Sequence, residues 1–335
     1  MNQGTKVIIP VAGIGSRLRP HTHTQPKALV PVAGKPILSH IIDSLTETGF
    51  NEFVFIVGYL GDKIESFIKN KYPLIQSTFI VQEPREGIGH AVWLARNEIR
   101  PGNEILIVLG DTIFDVDLRS IINLPYSSLG VKRVEDPRSF GVAELDENGF
   151  IKRVIEKPNI PTSNLALVGI YKIKESGLLI ESIEQNINNN IKTQNEFHLT
   201  DGLMKMIEKG ARITTFPVEN WYDCGSKASL LETNAVLLKK LAAGKTPPGH
   251  FESSILIPPV SVSDNCKISN SIIGPNVSIG ENTVISDSIL KDSIIGSFSE
   301  LRNAVLHHSV IGSDATLKVP NQSLNIGDNT EIDFG

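Results

Sequence analysis

Cysteine is nearly absent. Cys224 and Cys266 are two in 335 residues, too few and too far apart for a disulfide framework, so a reducing, cytoplasmic setting is the expectation. Positive charge is not in excess either. The net charge is −5 and the pI about 5.9, which gives no global basic footprint, and no nucleic-acid partner is expected. No apolar run approaches the roughly 18 residues a bilayer span needs. Met1–Lys6 lead straight into a strand pattern with neither the charged nor the apolar region of a secretory leader. No membrane association is therefore expected. What is present, 40% apolar and 21% charged residues, is ordinary for a globular protein with a sizeable core. The length suggests two domains.

Two common glycine fingerprints are missing as well. In the run Val7-Ile8-Ile9-Pro10-Val11-Ala12-Gly13-Ile14-Gly15-Ser16-Arg17-Leu18-Arg19-Pro20, Leu18 stands where G-x-G-x-x-G needs its third glycine. The pattern G-x-x-x-x-G-K-[ST] does not occur. The run still reads as a short buried strand breaking into a glycine turn that presents cations. Gly13 and Gly15 allow close backbone approach, consecutive N–H groups around Ala12 to Ser16 can converge on phosphate oxygens, and Arg17 and Lys27 supply full charges. The expectation is a nucleoside-triphosphate cradle.

From Lys6 to about Leu241 short β-branched runs alternate with helical periods. Strands are predicted at 6–12, 53–58, 77–82 and 105–109. Helices are predicted at 36–48, with Ile37, Leu38, Ile41, Ile42 and Leu45 on one face, and at 62–70, 88–99 and 226–241. Such alternation implies an α/β domain, a Rossmann-like, mixed but mostly parallel sheet flanked by helices, with ligands at the carboxyl ends of strands. Gly13, Gln82 and Asp111 fall just past such ends. Asp111, in Leu109-Gly110-Asp111-Thr112, is a carboxylate after a buried run; it is either a turn residue or half of a Mg²⁺–phosphate site. Residues 242–252 read as a linker. Beyond it an aliphatic residue recurs every six positions: Ile273, Ile279 and Ile285; Ile295 and Leu301; Ile311 and Leu317; Ile326 and Ile332. This period predicts a C-terminal left-handed parallel β-helix of hexapeptide repeats over 253–335, with the ten-residue step from 285 to 295 accommodated by a bulge or loop.

The whole N-terminal pattern, G-x-G-x-R-L-x-P followed by Pro26-Lys27, resembles the signature of sugar-1-phosphate nucleotidylyltransferases, with residues 1–241 as the catalytic domain. Within that family the chain is most similar to long-form glucose-1-phosphate thymidylyltransferases, through Gln82, Gly-Asp-Thr-Ile-Phe at 110–114 and Asp-Pro-x-x-Phe-Gly-Val at 136–142. The resemblance implies condensation of dTTP with glucose 1-phosphate to give a nucleotide sugar and pyrophosphate. It also implies Mg²⁺ held by Asp111 and by Asp223 of Trp-Tyr-Asp-Cys-Gly. Gln82 and Gly87 would meet the base. Gly141, Glu156, Lys157, Val168 and Gly169 would form the sugar-phosphate side, with Glu156 on sugar hydroxyls and Lys157 on the phosphate. Arg17, Lys27, Lys157 and Asp111 are the implied catalytic set. Glu156 and Lys157 are adjacent on a strand and so point to opposite faces, unless Pro158 closes the strand and twists the pair. Thr200 is expected to cap a helix, His90 to be structural, and His307-His308 to be a solvent-facing turn. Uridylyl and guanylyl transfer remain alternatives for the base. A nucleotide-sugar-binding regulator, or a bifunctional enzyme whose β-helix is an acyltransferase, is the alternative of another class. A homo-oligomer is expected.

Overall fold

A computed structural model of the chain describes residues 5–100, 102–242 and 251–320. The chain divides into two compact units. One takes the chain up to Pro31 and Lys35–Leu230; the other takes Val32–Gly34 and the chain from Leu231.

The first unit is built on a mixed sheet. Its parallel half comprises β1 (Lys6–Pro10), β2 (Glu52–Val57) and β3 (Gln76–Val81), with β4 (Ile105–Val108) on the other side of β1. These are the predicted β-branched runs, each ending a residue or two sooner than the pattern suggested. Val7–Ile9 and Ile105–Val108 are buried because helices cover both faces of a parallel sheet. Crossovers are supplied by α1 (Ile37–Glu47), α2 (Gly61–Lys71) and α3 (Ile88–Leu94), and all five apolar residues predicted for α1 are buried. The predicted helix 88–99 is split, since Ala95–Glu98 tighten into a 3₁₀ turn.

After β4 come β5 (Thr112–Asp115) and α4 (Leu118–Ile122), the latter capped by the Asp117 carboxylate, which accepts from Arg119 and Ser120 N–H. The sheet then continues with β6 (Ser127–Arg133), β7 (Gly141–Leu145), β8 (Ile151–Glu156) and β9 (Leu165–Ile173). β9 runs antiparallel to β4, β6 and β7, so the sheet changes direction between β4 and β9. α5 (Ser176–Asn188) and α6 (Leu199–Glu208) cover this half, and β10 (Ile213–Pro217) pairs with β6. β11 (Asn220–Asp223) leaves the main sheet and forms an antiparallel ribbon with β5, placing Asp223 opposite Thr112. α7 (Lys227–Ala242) follows. Ser226 and Ser229 cap its start reciprocally: Ser229 N–H donates to Ser226 Oγ and Ser226 N–H to Ser229 Oγ.

The second unit carries the left-handed parallel β-helix. Three sheets of four strands each form its faces, and every pairing between successive coils is parallel. The predicted aliphatic residues are its core and stack in register: Ile279 on Ile295 on Ile311, and Ile285 on Leu301 on Leu317. The ten-residue step is neither bulge nor loop. Leu290 occupies the missing position, stacked between Ile273 and Leu306, so these sides are five residues long. Corners are turned by left-handed residues such as Asn270, Asn276, Asn282, Asp287 and Asp292, with φ between 45° and 61°, a conformation their short polar side chains tolerate. Ile326 and Ile332, and residues 243–250 of the expected linker, lie outside the described residues. Asn234 is fully buried in this unit. Its Oδ1 accepts from Ala33 N–H and Ser278 Oγ–H, both at 2.8 Å, and its Nδ2 donates to Asn276 O at 3.1 Å.

Candidate active site

A cleft of about 260 Å³ opens at the carboxyl ends of β1, β3 and β4. Ala12, Gly13, Lys27, Gln82, Gly87 and Asp111 all line it. Three strand ends and two later loops thus converge, as the rule for parallel sheets requires. A Cβ on Gly13 would meet nothing within 4 Å, so the backbone there faces open space. Gly15 has φ 62° and ψ 40°, a left-handed turn that starts the 3₁₀ segment Ser16–Leu18. A side chain there would press on Lys27 and Thr22.

Charge is concentrated beside this turn. Lys27 Nζ lies 2.6 Å from Asp111 Oδ2, and its side chain is 12% exposed. Burial pushes the Asp111 carboxyl up, but the Lys27 ammonium and the Thr112 hydroxyl outweigh it and hold the group below the usual carboxylate range. Asp223 goes the other way. Burial raises it and the Asp111 charge adds to the rise, while Lys27 and Arg17 pull it down. The β5–β11 ribbon makes this pairing, with Cys224 N–H donating to Asp111 O at 3.2 Å. Arg17 reaches the same place: a Cβ added to Gly225 would lie 2.8 Å from an Arg17 guanidinium nitrogen and within 3.0 Å of both Asp223 oxygens.

A second group stands on the antiparallel half. Glu156, at the end of β8, is opposite Gly141 in β7. Its Oε2 accepts from Thr200 Oγ–H at 3.0 Å, and its Oε1 lies 3.7 Å from both Lys157 Nζ and His198 Nδ1. The twist needed to bring Glu156 and Lys157 together occurs at Lys157 itself, whose φ is 40°, with its N–H donating to Phe140 O at 3.0 Å. Val168 is buried. Gly169 O accepts from Leu109 N–H at 2.8 Å, tying β9 to the turn that carries Asp111. Burial pushes the Tyr171 phenol well up, and the carboxylates of Glu156 and Asp111 both add to it. One buried phenol therefore feels both charge clusters.

The nucleotidyl transferase family model matches residues 6–240. The chain is 36% identical over 254 residues to the bifunctional protein GlmU of Methanocaldococcus jannaschii, covering 75% of this chain and 58% of that protein. It is 30% identical over 279 residues to a glucose-1-phosphate thymidylyltransferase of Streptomyces antibioticus, covering 79% and 75%. A UDP-glucose pyrophosphorylase solved with UDP-glucose has the same fold, with a TM-score of 0.62 at 24% identity over 71% of this chain and all of that one. The chain belongs to the sugar-1-phosphate nucleotidyltransferase family. It spans little more than half the length of the GlmU relative.

Members of this family generally use Mg²⁺, and the donor set here fits such an ion. Two hard carboxylates, Asp223 at the end of β11 and Asp111 just before β5, the former raised by burial and further by the charge of the latter, are a pair that a divalent cation relieves. Elsewhere, Asp292, His307 and His308 bring three potential ligand atoms within 4.8 Å on the outside of the β-helix. Lys291 stands 3.9 Å from Asp292, however, and His307 is already bonded to it. His21-x-His23 forms a 3₁₀ turn, and His21 belongs to no cluster of metal ligands among the described residues.

Several site neighbours were not legible in the sequence. Arg85 lines the cleft as a further cation. Thr200 is not the cap of α6. His198 occupies the cap position, and the Thr200 hydroxyl goes to Glu156 because the helix start is packed against β8. His90 does not stand apart from the loop 82–87 that lines the cleft, since its Nδ1 lies 3.3 Å from Gln82 Nε2.

Proposed function

We propose that this protein transfers a nucleotidyl group from a nucleoside triphosphate to a sugar 1-phosphate, with release of pyrophosphate. The proposed pair is dTTP and glucose 1-phosphate. The observation that carries the reading is the cluster of Arg17, Lys27, Asp111 and Asp223 at the carboxyl ends of the parallel strands, with Glu156 and Lys157 on the antiparallel half. An oxygen of the sugar phosphate attacks the α-phosphorus as the bond to the β-phosphate oxygen breaks. The attacking group is already an anion, so no general base is required, and catalysis consists of positioning and charge neutralisation. Arg17 holds the departing pyrophosphate, Lys27 the α-phosphate and Lys157 the incoming phosphate. Ala12, Gly13, Gly15 and Ser16 present main-chain N–H groups to the triphosphate, while Gln82 and Gly87 meet the base. Gly141, Glu156, Val168 and Gly169 receive the sugar. Mg²⁺, when bound to Asp111 and Asp223, supplies positive charge at the α-phosphate.

Thymine and uracil differ by one methyl group, worth about 1–3 kcal/mol in a compact pocket, so UTP is a second substrate in this reading. Catalysis is assigned to residues 1–241, and assembly of a homo-oligomer to the β-helix. The test is a matrix of four sugar 1-phosphates against dTTP, UTP, GTP, CTP and ATP with Mg²⁺, reading pyrophosphate. Highest turnover with dTTP or UTP is expected. No pair above background would leave a binding protein instead, and consumption of an acyl-coenzyme A would reveal a second activity in the β-helix.

A further inference from the structure

Gln82 is buried at the end of β3, and its amide can face the cleft with either its oxygen or its nitrogen. Two neighbours decide which. The terminal atom assigned as Nε2 lies 2.9 Å from Gly87 O and 3.3 Å from His90 Nδ1. A carbonyl oxygen can only accept, so that atom must be the NH₂ group. The same NH₂ then needs a lone pair on His90 Nδ1, which requires a neutral ring with its proton on Nε2. Burial lowers the basicity of His90, in keeping with a neutral ring; Glu86 opposes this, while Lys192 and Arg96 reinforce it. The ring lies within 22° of parallel to that of Trp93, with centroids 6.0 Å apart.

We propose that His90 is a positioning residue for base selection: with Gly87 O it takes both protons of the Gln82 amide nitrogen, leaving Oε1 as the acceptor offered to the base. This rests on the nucleotide reading of the cleft. An acceptor there matches the ring N3–H of uracil or thymine. It opposes cytosine, whose N3 is itself an acceptor. The backbone carbonyl and the histidine therefore set, from behind, which pyrimidine the glutamine can recognise.

The experiment compares kcat/KM for UTP and CTP in the wild type, His90→Leu and His90→Asn. Leucine keeps an apolar side chain and loses the acceptor; asparagine restores an oxygen acceptor near the position of Nδ1. The UTP-over-CTP ratio is expected to fall about tenfold in His90→Leu, the size of one misplaced hydrogen bond, and to remain within about threefold of wild type in His90→Asn. A purely structural role would lower both nucleotides in proportion, and an unchanged ratio in His90→Leu overturns the proposal. Independently of turnover, ¹⁵N chemical shifts of the His90 ring in the wild type should report Nδ1 unprotonated at pH 7.5. A proton on Nδ1 there overturns the proposal as well. If the wild type uses no nucleotide at all, it is the nucleotidyltransfer reading that fails, and the ring tautomer still decides whether His90 orients Gln82.

Discussion

Gly225→Ala separates the chemistry of the site from the stability of the fold. Gly225 follows β11 and does not have a left-handed φ, so alanine is compatible with its backbone. The added Cβ would stand 2.8 Å from an Arg17 nitrogen and 2.9 and 3.0 Å from the two Asp223 oxygens. Carbon at those distances is too close by several tenths of an ångström. All three atoms are the ends of side chains, so the strain is relieved by moving them rather than the main chain. Folding loses little and gains about 0.4–1 kcal/mol from the reduced freedom of the unfolded chain. The guanidinium and the carboxylate are displaced, and groups that must be held in productive geometry lose much of their effect when shifted. Pyrophosphate release should fall about 10–100-fold in kcat/KM, corresponding to about 1.4–2.7 kcal/mol of transition-state stabilisation, while the melting temperature stays level or rises slightly. Full activity in a folded Gly225→Ala protein would show that Arg17 and Asp223 are not part of the reacting cluster. A parallel loss of activity and melting temperature would place the glycine's importance in the fold.

Lys157→Ala should lower kcat by about 10²–10³ at saturating nucleotide and raise the KM for sugar phosphate; steady-state kinetics with unchanged constants would remove Lys157 from the acceptor side. Asn234→Ala leaves Ala33 N–H, Ser278 Oγ–H and Asn276 O without their common partner, so urea denaturation should show a loss of about 2–4 kcal/mol, and a loss below about 1 kcal/mol would mean that water replaces the amide. Burial raises the Asp201 carboxyl, Glu156 adds to it, and Thr193 and His198 only partly oppose it. The folded state therefore binds this proton more tightly than the unfolded state, and the contribution of Asp201 to stability declines as pH rises through its folded pKa. Asp201→Asn should accordingly be more stable than wild type at pH 7, an advantage that vanishes below about pH 3; urea midpoints that differ equally at both pH values would refute the assignment.

The β-helix was legible because its information is local. One side of a coil occupies five or six residues, and the sequence spells out both the inward aliphatic residue and the left-handed Asn or Asp at the corner. Only the five-residue sides misled the period, because Leu290 and Leu306 were not counted with the isoleucines. The parallel strands were legible for the same reason. Their burial on both faces leaves a continuous apolar run, and residues just past three of the four runs, Ala12, Gln82 and Leu109, line the cleft.

The charge cluster was legible only through the family resemblance, because antiparallel pairing between distant segments closes it. Asp111 and Asp223 become neighbours only through the β5–β11 ribbon, and neither segment encodes its partner. The placement of the residues proposed for the sugar phosphate has a related cause. A purely parallel sheet offers one row of strand ends, enough for a triphosphate and its base. Here β9 reverses direction against β4 and returns with Gly169 bonded to Leu109. β7 and β8 belong to this antiparallel half, where Gly141 and Glu156 face each other. Asp111 therefore stands where the sheet changes direction, with the residues proposed for the nucleotide on the parallel half and those proposed for the sugar phosphate on the antiparallel half. The proposed reaction joins two phosphates and so needs two approaches to one point, and in that reading the reversal of a single strand supplies the second.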